Sequence, residues 1–439
     1  METTPADLSY PAGERNSMQK NWYRLDTAAL IFPAIARRDW CNAFRVSATL
    51  TEEVDPELLQ RASDDLRRRF PSYFVALRKG AFWYYLEESR QPVRVRQDYA
   101  YPLTFMSSRE LKRNCLRVLY YKNRIAVEFF HSLTDGHGGS VFLANLTARY
   151  LELKHGLAIP REGPIRDLDR EASAEELEDS FLKNAAPVAA GRKEPASYRL
   201  HGTREADGFK TLTTGIVKTR DLLDAAHRHS VTVTAFLAAV MAESVIAMQD
   251  EEKPRRRQRP VKITIPVDLR RLYGSETLRN FSLVLNIGVD PRFGEYRLEE
   301  LCKSIYHQLC ASATPQNMAG MIAANVQPQM LVPLRLAPVF VKDLVMNAVY
   351  RRSGESGGSL NISNITGVTL PEAMQPYVRR MEFIIGPQRS YPNNCSVLSY
   401  GGTTCINMIR NIRESELERR FFSRLVELGV PVEIESNRR

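Results

Sequence analysis

Cysteine is scarce in this 439-residue chain: there are six, Cys41, Cys115, Cys302, Cys310, Cys395 and Cys405. They form no CxxC pair and no His-Cys group at zinc-finger spacing, which argues against a disulfide framework and a structural metal. Free thiols suit a reducing compartment, so a cytoplasmic location is expected. Residues Met1 to Gly13 offer acids and prolines in place of a basic and then an apolar segment, so no secretory signal is expected. Long hydrophobic runs are lacking too. The most apolar stretch, Met330 to Tyr350, is interrupted by Pro333, Arg335, Pro338, Lys342 and Asp343, whereas a spanning helix needs ~20 mostly apolar residues. No transmembrane segment is expected. A GxSxG nucleophile elbow, a P-loop, an HExxH zinc motif and a dinucleotide fingerprint are all missing, and with them the local signatures of four common chemistries.

What the sequence does contain is ordinary globular composition, 44% hydrophobic and 26% charged, with a net charge of +10. Such a chain folds, and its length suits two halves of similar size. Period-two alternation predicts strands over 41–50, 81–86, 117–121 and 124–130, the last with Ile125, Val127 and Phe129 on one face. Helical spacing predicts helices over 55–69 and 140–155. Between 156 and 207 the pattern gives way to Pro, Gly and dense charge, expected to be a surface connection with at most a short helix. Beyond it, strands are predicted over 210–218, 261–266, 281–289, 359–363, 381–385, 395–400, 405–409 and 430–434. Helices are predicted over 219–229, 234–248, 297–313 and 415–429. The fold class read from this is α/β, with helices and strands mixed in both halves and no 20 to 50 residue repeat.

The sharpest constellation is His131-Ser-Leu-Thr-Asp135-Gly136. Its histidine falls at a predicted strand end, and imidazole is the side chain that removes and returns a proton near neutrality. Gly136, Gly138 and Gly139 allow a tight turn or a close backbone approach. The N-terminus of the following helix favours a neutral imidazole, the form a base requires. His137 next to the motif reads as a solvated loop residue, with a second base as its functional alternative. The run Lys253, Arg255, Arg256, Arg257 and Arg259 reads as a solvated loop, with coenzyme phosphates or an acidic carrier protein as its functional alternatives. No aromatic interleaving accompanies it, so nucleic acid is not an expected partner. The segment Met318 to Val349 reads as core helix packing, or else as the lining of a tunnel for an apolar acceptor.

HSLTDG, with a strand before it and a helix after it, resembles the HxxxDG active-site motif of the chloramphenicol acetyltransferase-like superfamily, which also holds the condensation domains of peptide synthetases. The similarity is greatest to its alcohol acetyltransferase-like branch. It runs through most of the chain: NWYRLDTAALIFPAI, RRFPSYFVALRKGAFWYYLE, IPVDLRRLYGSETLRNF, SNITG at 363–367 and ERRFFSRLVELGVPVEIESN. Phe130 stands where condensation domains usually carry a first histidine.

The resemblance implies two chloramphenicol acetyltransferase-like halves, residues 1–195 and 208–439 with a linker at 196–207, each a mixed sheet with flanking helices, and a channel between them. It implies O-acyl transfer with acyl-CoA as co-substrate and no permanently bound cofactor or metal. His131 would be the general base on an alcohol or amine acceptor, in one complex with the donor and without an acyl-enzyme. Asp135 would be structural, pairing with an arginine of the second half, by position Arg270 or else the adjacent Arg271. Asn364 would lie beside the channel, although Thr366 stands where relatives have glycine. The DFGWG block of plant members is absent. The oxyanion donor therefore stays open between backbone N–H groups near Gly136 and the hydroxyl of Ser363. Two other classes remain expectations at this point: a condensation-type enzyme whose donor rides on an acyl carrier protein, and a non-catalytic interaction protein of the same fold.

Overall fold

The computed structural model describes residues 21–37, 42–188, 195–350, 357–388 and 390–438. Residues 1–20 and Cys41 lie outside the described residues. The first half runs β1 (Trp22–Arg24), α1 (Ile31–Ile35), β2 (Ala43–Leu50), α2 (Pro56–Asp65), β3 (Val75–Lys79), β4 (Tyr84–Glu88), β5 (Arg96–Gln97), α3 (Ser108–Leu111), β6 (Leu116–Tyr121), β7 (Arg124–Phe130) and α4 (Gly136–His155). The charged connection carries two single-turn helices, α5 (Ala174–Leu177) and α6 (Ser180–Lys183).

The second half begins with β8 (Thr211–Lys218), α7 (Thr219–Arg228), α8 (Val233–Glu252), β9 (Val261–Asp268), α9 (Arg270–Tyr273), β10 (Ser282–Val289) and α10 (Leu298–Ser312). Three helices follow, α11 (Pro315–Met330), α12 (Val332–Leu336) and α13 (Val339–Val349). The chain closes with β11 (Leu360–Ile365), β12 (Val378–Ile385), β13 (Asn393–Tyr400), β14 (Thr403–Arg410), α14 (Glu416–Glu427) and β15 (Glu433–Ser436).

These strands make a five-stranded sheet in the order β12-β2-β7-β6-β5, a seven-stranded sheet in the order β10-β9-β11-β13-β14-β8-β15, and a small sheet β1-β4-β3. The five-stranded sheet is not built from the first half alone. β12 pairs antiparallel with β2, Phe383 opposite Val46 and Ile385 opposite Phe44, and the next strand, β13, returns to the larger sheet. The short crossing between β12 and β13 thus ties the two sheets together beside the channel.

Each half has its own apolar core. In the first, α4 packs over β2 and β7, with Phe44, Phe70, Tyr73, Phe129 and Phe142 all buried. In the second, α8 is apolar on every face, the pattern of a helix surrounded by protein. It is long and apolar enough by composition to cross a membrane, yet most of it is buried inside the fold.

Local chemistry explains several boundaries. Asp55 caps α2 by accepting hydrogen bonds from the N–H groups of Glu57 and Leu58, and Pro56 occupies the first turn, where its missing N–H leaves nothing unpaired. Helix α4 starts at Gly136, four residues before the helical period becomes visible, because Asp135 caps it and accepts from the Gly138 N–H. GHGG is consequently the first turn of a helix and not a loop. These glycines serve close approach: a Cβ on Gly139 would stand 2.6 Å from the Phe44 ring and one on Gly136 would stand 2.8 Å from Ile365. The last strand starts at Glu433, later than expected. Gly429 takes φ +80°, ends α14, and lets Val430 turn back into the core.

The stretch 318–349 departs most from expectation. Core packing holds for α11, which buries Met318, Met321, Ile322 and Val326. It does not hold for α12 and most of α13, where Leu336, Phe340 and Leu344 point outward. Pro333 and Pro338 break the stretch into short pieces, and none of α12 is buried.

Candidate active site

Strand β7 delivers His131 to the end of the five-stranded sheet, where its backbone N–H donates to the carbonyl of Asn42 at 2.8 Å. The side chain opens on a cavity of about 1870 Å³ that runs between the two large sheets. Phe32 stacks on the imidazole at 4.6 Å between ring centroids, and Phe44 meets it edge-on at 5.2 Å. The ring is thereby clamped on its apolar sides and can be steered only by its nitrogens.

Asn280, in the segment leading into β10, does the steering. Its amide nitrogen donates to the carboxylate of Asp26 and to the carbonyl of His131, both at 3.0 Å. That orientation leaves the amide oxygen facing His131 Nδ1 at 3.0 Å. An amide oxygen only accepts, so Nδ1 carries the proton and Nε2 keeps its lone pair. Burial lowers the His131 pKa, and its own carbonyl, Asp135 and Asn280 reverse that only in part. The neutral imidazole is the resting form at neutral pH, with Nε2 as its basic atom.

Asp26 is fully buried, and burial raises its pKa to about 6 although the charge of Arg279 opposes the shift. Asp26, Asn280 and His131 form a continuous hydrogen-bonded line running from β1's end into the cavity.

Asp135 faces away from that line. Arg270 grips it with two parallel hydrogen bonds, Nη1 to Oδ2 and Nη2 to Oδ1, each 3.0 Å. The Phe281 N–H adds a third at 2.9 Å. The remaining guanidinium donors reach the carbonyls of Thr277 and Arg279 and the carboxylate of Asp268. Burial would raise the Asp135 carboxyl, but the Arg270 charge and hydrogen bonds outweigh it and hold the pKa below the usual range. The pair spans the two halves and fixes the 131–136 segment against the 268–281 segment. Beneath it, Tyr73 and Thr134 both donate to the Leu278 carbonyl, at 2.9 and 2.6 Å.

The structure brings His131, Asp135, Gly136, Arg270 and Asn364, all five selected from the sequence, to the wall of the same cavity. Arg271 also lines it, but the arginine that holds Asp135 is Arg270. Asn364 donates to the Thr234 hydroxyl at 3.0 Å, while its side-chain oxygen is buried without a hydrogen-bond partner, an acceptor left over at the channel wall. Ser363 lies on the same wall. His137 is half-exposed in the first turn of α4, 3.9 Å from Asp268. Arg255, Arg256 and Arg257 form an exposed turn away from the cavity, with Arg255 paired to Glu295. Among the described residues, no group of three or more His, Cys, Asp or Glu side chains stands close enough to hold a metal ion.

Sequence reasoning missed Asn280, Asp26 and Phe32. Asn280 carries no local signature. Asp26 gave one faint signal, the single acid in the apolar-rich stretch YRLDTAALIF.

No family model matches the chain and no curated protein matches it by sequence. Solved structures do. The Fusarium graminearum TRI101 structure complexed with ethyl coenzyme A superposes with a TM-score of 0.63 at 11% identity, over 95% of this chain and 100% of that one. The wax ester synthase/diacylglycerol acyltransferase of Marinobacter aquaeolei VT8 gives 0.55 at 12%, over 93% and 100%. The starter condensation domain of rhizomide synthetase RzmA, solved with C8-CoA, gives 0.58 at 13%, over 93% and 94%. At such identities the likeness establishes architecture: this chain has the two-lobed fold of the chloramphenicol acetyltransferase-like acyltransferases and condensation domains.

Proposed function

We propose that the protein is an acyltransferase that moves an acyl group from the thioester of an acyl-CoA to an alcohol or amine, with His131 as general base. The observation that carries this reading is the state of His131 on the cavity wall, with Nδ1–H committed to Asn280 and Nε2 left basic. A neutral imidazole aimed into a channel between two lobes suits a reaction in which donor and acceptor meet at one point.

The steps follow from that arrangement. Nε2 takes the acceptor's proton as its oxygen or nitrogen attacks the thioester carbonyl carbon. The tetrahedral intermediate collapses with cleavage of the C–S bond, and the leaving thiolate recovers the proton from His131. No acyl-enzyme is required. Gly136 and Ser363 both line the cavity, and the first-turn N–H groups of α4 and the Ser363 hydroxyl are the candidate donors for the oxyanion, one such donor supplying ~3 kcal/mol. Asp135 and Arg270 act as a clamp on the loop.

Each half, 1–195 and 208–439, would be inert alone, since His131 needs Asn280 and Asp135 needs Arg270. CoA thioesters as donors are supported by the neighbours solved with ethyl coenzyme A and with C8-CoA. The described cysteines are free thiols, which supports a reducing, cytoplasmic setting.

The test is a thiol-release assay with acyl-CoAs from acetyl to palmitoyl and pooled short, long and aromatic alcohols. Release should require both the acceptor and His131. Release that continues in His131→Ala, or that ignores the acceptor, would sink the proposal. Turnover of an acylated carrier protein in place of any CoA thioester would reassign the donor.

A further inference from the structure

Helices α12 and α13 turn a band of large aliphatic and aromatic side chains to solvent. Leu336 and Phe340 are each 67% exposed and Leu344 is 73% exposed, with Met330 and Val332 beside them. Contiguous apolar surface of this kind is uncommon on a folded protein and marks an interaction site.

Its borders have a definite chemistry. The 81–83 loop lies alongside, joined by the Val339 N–H donating to the Ala81 carbonyl at 2.8 Å, and presents Phe82 and Trp83 partly exposed. Lys342 and Arg335 supply positive charge on the same two helices. The one acid of the two helices, Asp343, is neutralised by Lys79 at 3.0 Å and bonded by the Tyr84 hydroxyl at 2.9 Å. Aliphatic side chains, flanking aromatic rings and two cations with no acidic partner among the described residues match the layers of an anionic lipid interface. As described, α12 and α13 run 5 and 11 residues, each too short to span a bilayer.

The band also leads to the site. Its inner side packs on α1, where Asn347 donates to the Ala34 carbonyl at 2.5 Å, and Phe32 of that helix stacks on His131. The C-terminal end of α13, at Val349, lines the main cavity.

We infer that the α12–α13 face seats the protein on an anionic lipid surface, and that a lipid-soluble alcohol passes from that surface along α1 to His131. The second half of this statement rests on the acyltransferase reading; the first does not.

The experiment uses the full chain in two measurements. Co-sedimentation with phosphatidylcholine vesicles, with and without phosphatidylglycerol, reads binding without turnover. Thiol release is then compared for a water-soluble short alcohol and for a long-chain alcohol embedded in the vesicles. The variant is Phe340→Asp together with Leu344→Asp, two exposed positions outside the cavity, with thermal unfolding to verify the fold. The expected result is binding that needs phosphatidylglycerol and falls on the order of tenfold or more in the variant. Turnover of the soluble alcohol should stay unchanged while turnover of the embedded one is lost. Wild-type protein that stays in the supernatant, or a variant that sediments like wild type, overturns the inference. So does a variant that sediments normally but loses turnover of an acylated carrier protein, which would make the band a protein-docking face. Intact vesicle binding with no thiol release from any substrate would remove the acyltransferase reading and leave the lipid face standing.

Discussion

Replacing Arg270 with methionine removes one side of the clamp between the halves. Asp135, with its side chain only 7% exposed, would keep the Phe281 and Gly138 N–H groups but lose both charged hydrogen bonds. The carbonyls of Thr277 and Arg279 would lose a donor each. Removing one partner of a buried ion pair costs about 3 to 5 kcal/mol, because the other charge stays buried without compensation. That is a large share of a typical stability of about 5 to 15 kcal/mol, and the urea midpoint should fall on the order of 1 M.

The pH dependence sharpens the test. Asp135 has a lowered pKa in the folded state, so its contribution is present above the ordinary carboxyl value of 3.8 and is lost as pH falls through the lower folded value. The deficit of Arg270→Met should therefore be greatest near neutrality and shrink below about pH 4. Asp135→Asn combined with Arg270→Met should recover part of the loss, since no buried charge remains. A single variant within ~1 kcal/mol of wild type, with full activity, would refute this account of the clamp.

Three further outcomes are expected. Asn280→Ala frees the His131 ring to take either tautomer and should lower kcat about tenfold to a hundredfold with little change in KM, by steady-state kinetics, since only an orienting contact is lost. Gly139→Ala drives a methyl group into the Phe44 ring and should cost about 1 to 3 kcal/mol in urea unfolding. Asp26, with its folded pKa raised to about 6 from 3.8, contributes stability that is complete below the ordinary value and lost as pH rises through about 6. Asp26→Asn should abolish that decline, and an unfolding series from pH 4 to pH 7 that shows the same slope in both proteins would contradict it.

The sequence made the covalent logic of the site legible because that logic is local. His131 and Asp135 lie four residues apart at a strand-to-helix junction, and alternation in RIAVEFF marks the strand that His131 directly follows. Arg270 follows a strand at the matching end of the second half. Asn280 was illegible for the opposite reason. Its role depends on a fold that brings it against a residue 149 positions earlier in the chain, and asparagine before a strand has many ordinary uses. Hydrophobicity likewise located α8 but misjudged α12 and α13, since apolar content states that a surface avoids water and not which surface covers it. The start of α4 was hidden because glycine has poor helix propensity. Packing against Phe44 and Ile365 and the Asp135 cap override that preference.

The most direct test of the central claim is the pH profile of kcat/KM for acyl transfer, in wild type and in Asp26→Asn. A base whose pKa is lowered by burial predicts activity that falls on the acid side with an inflection below the ordinary imidazole value of 6.5, in both proteins, and no acceptor-dependent turnover in His131→Ala. A flat acid limb, or an inflection above 6.5, would contradict a neutral His131 held through Nδ1 by Asn280.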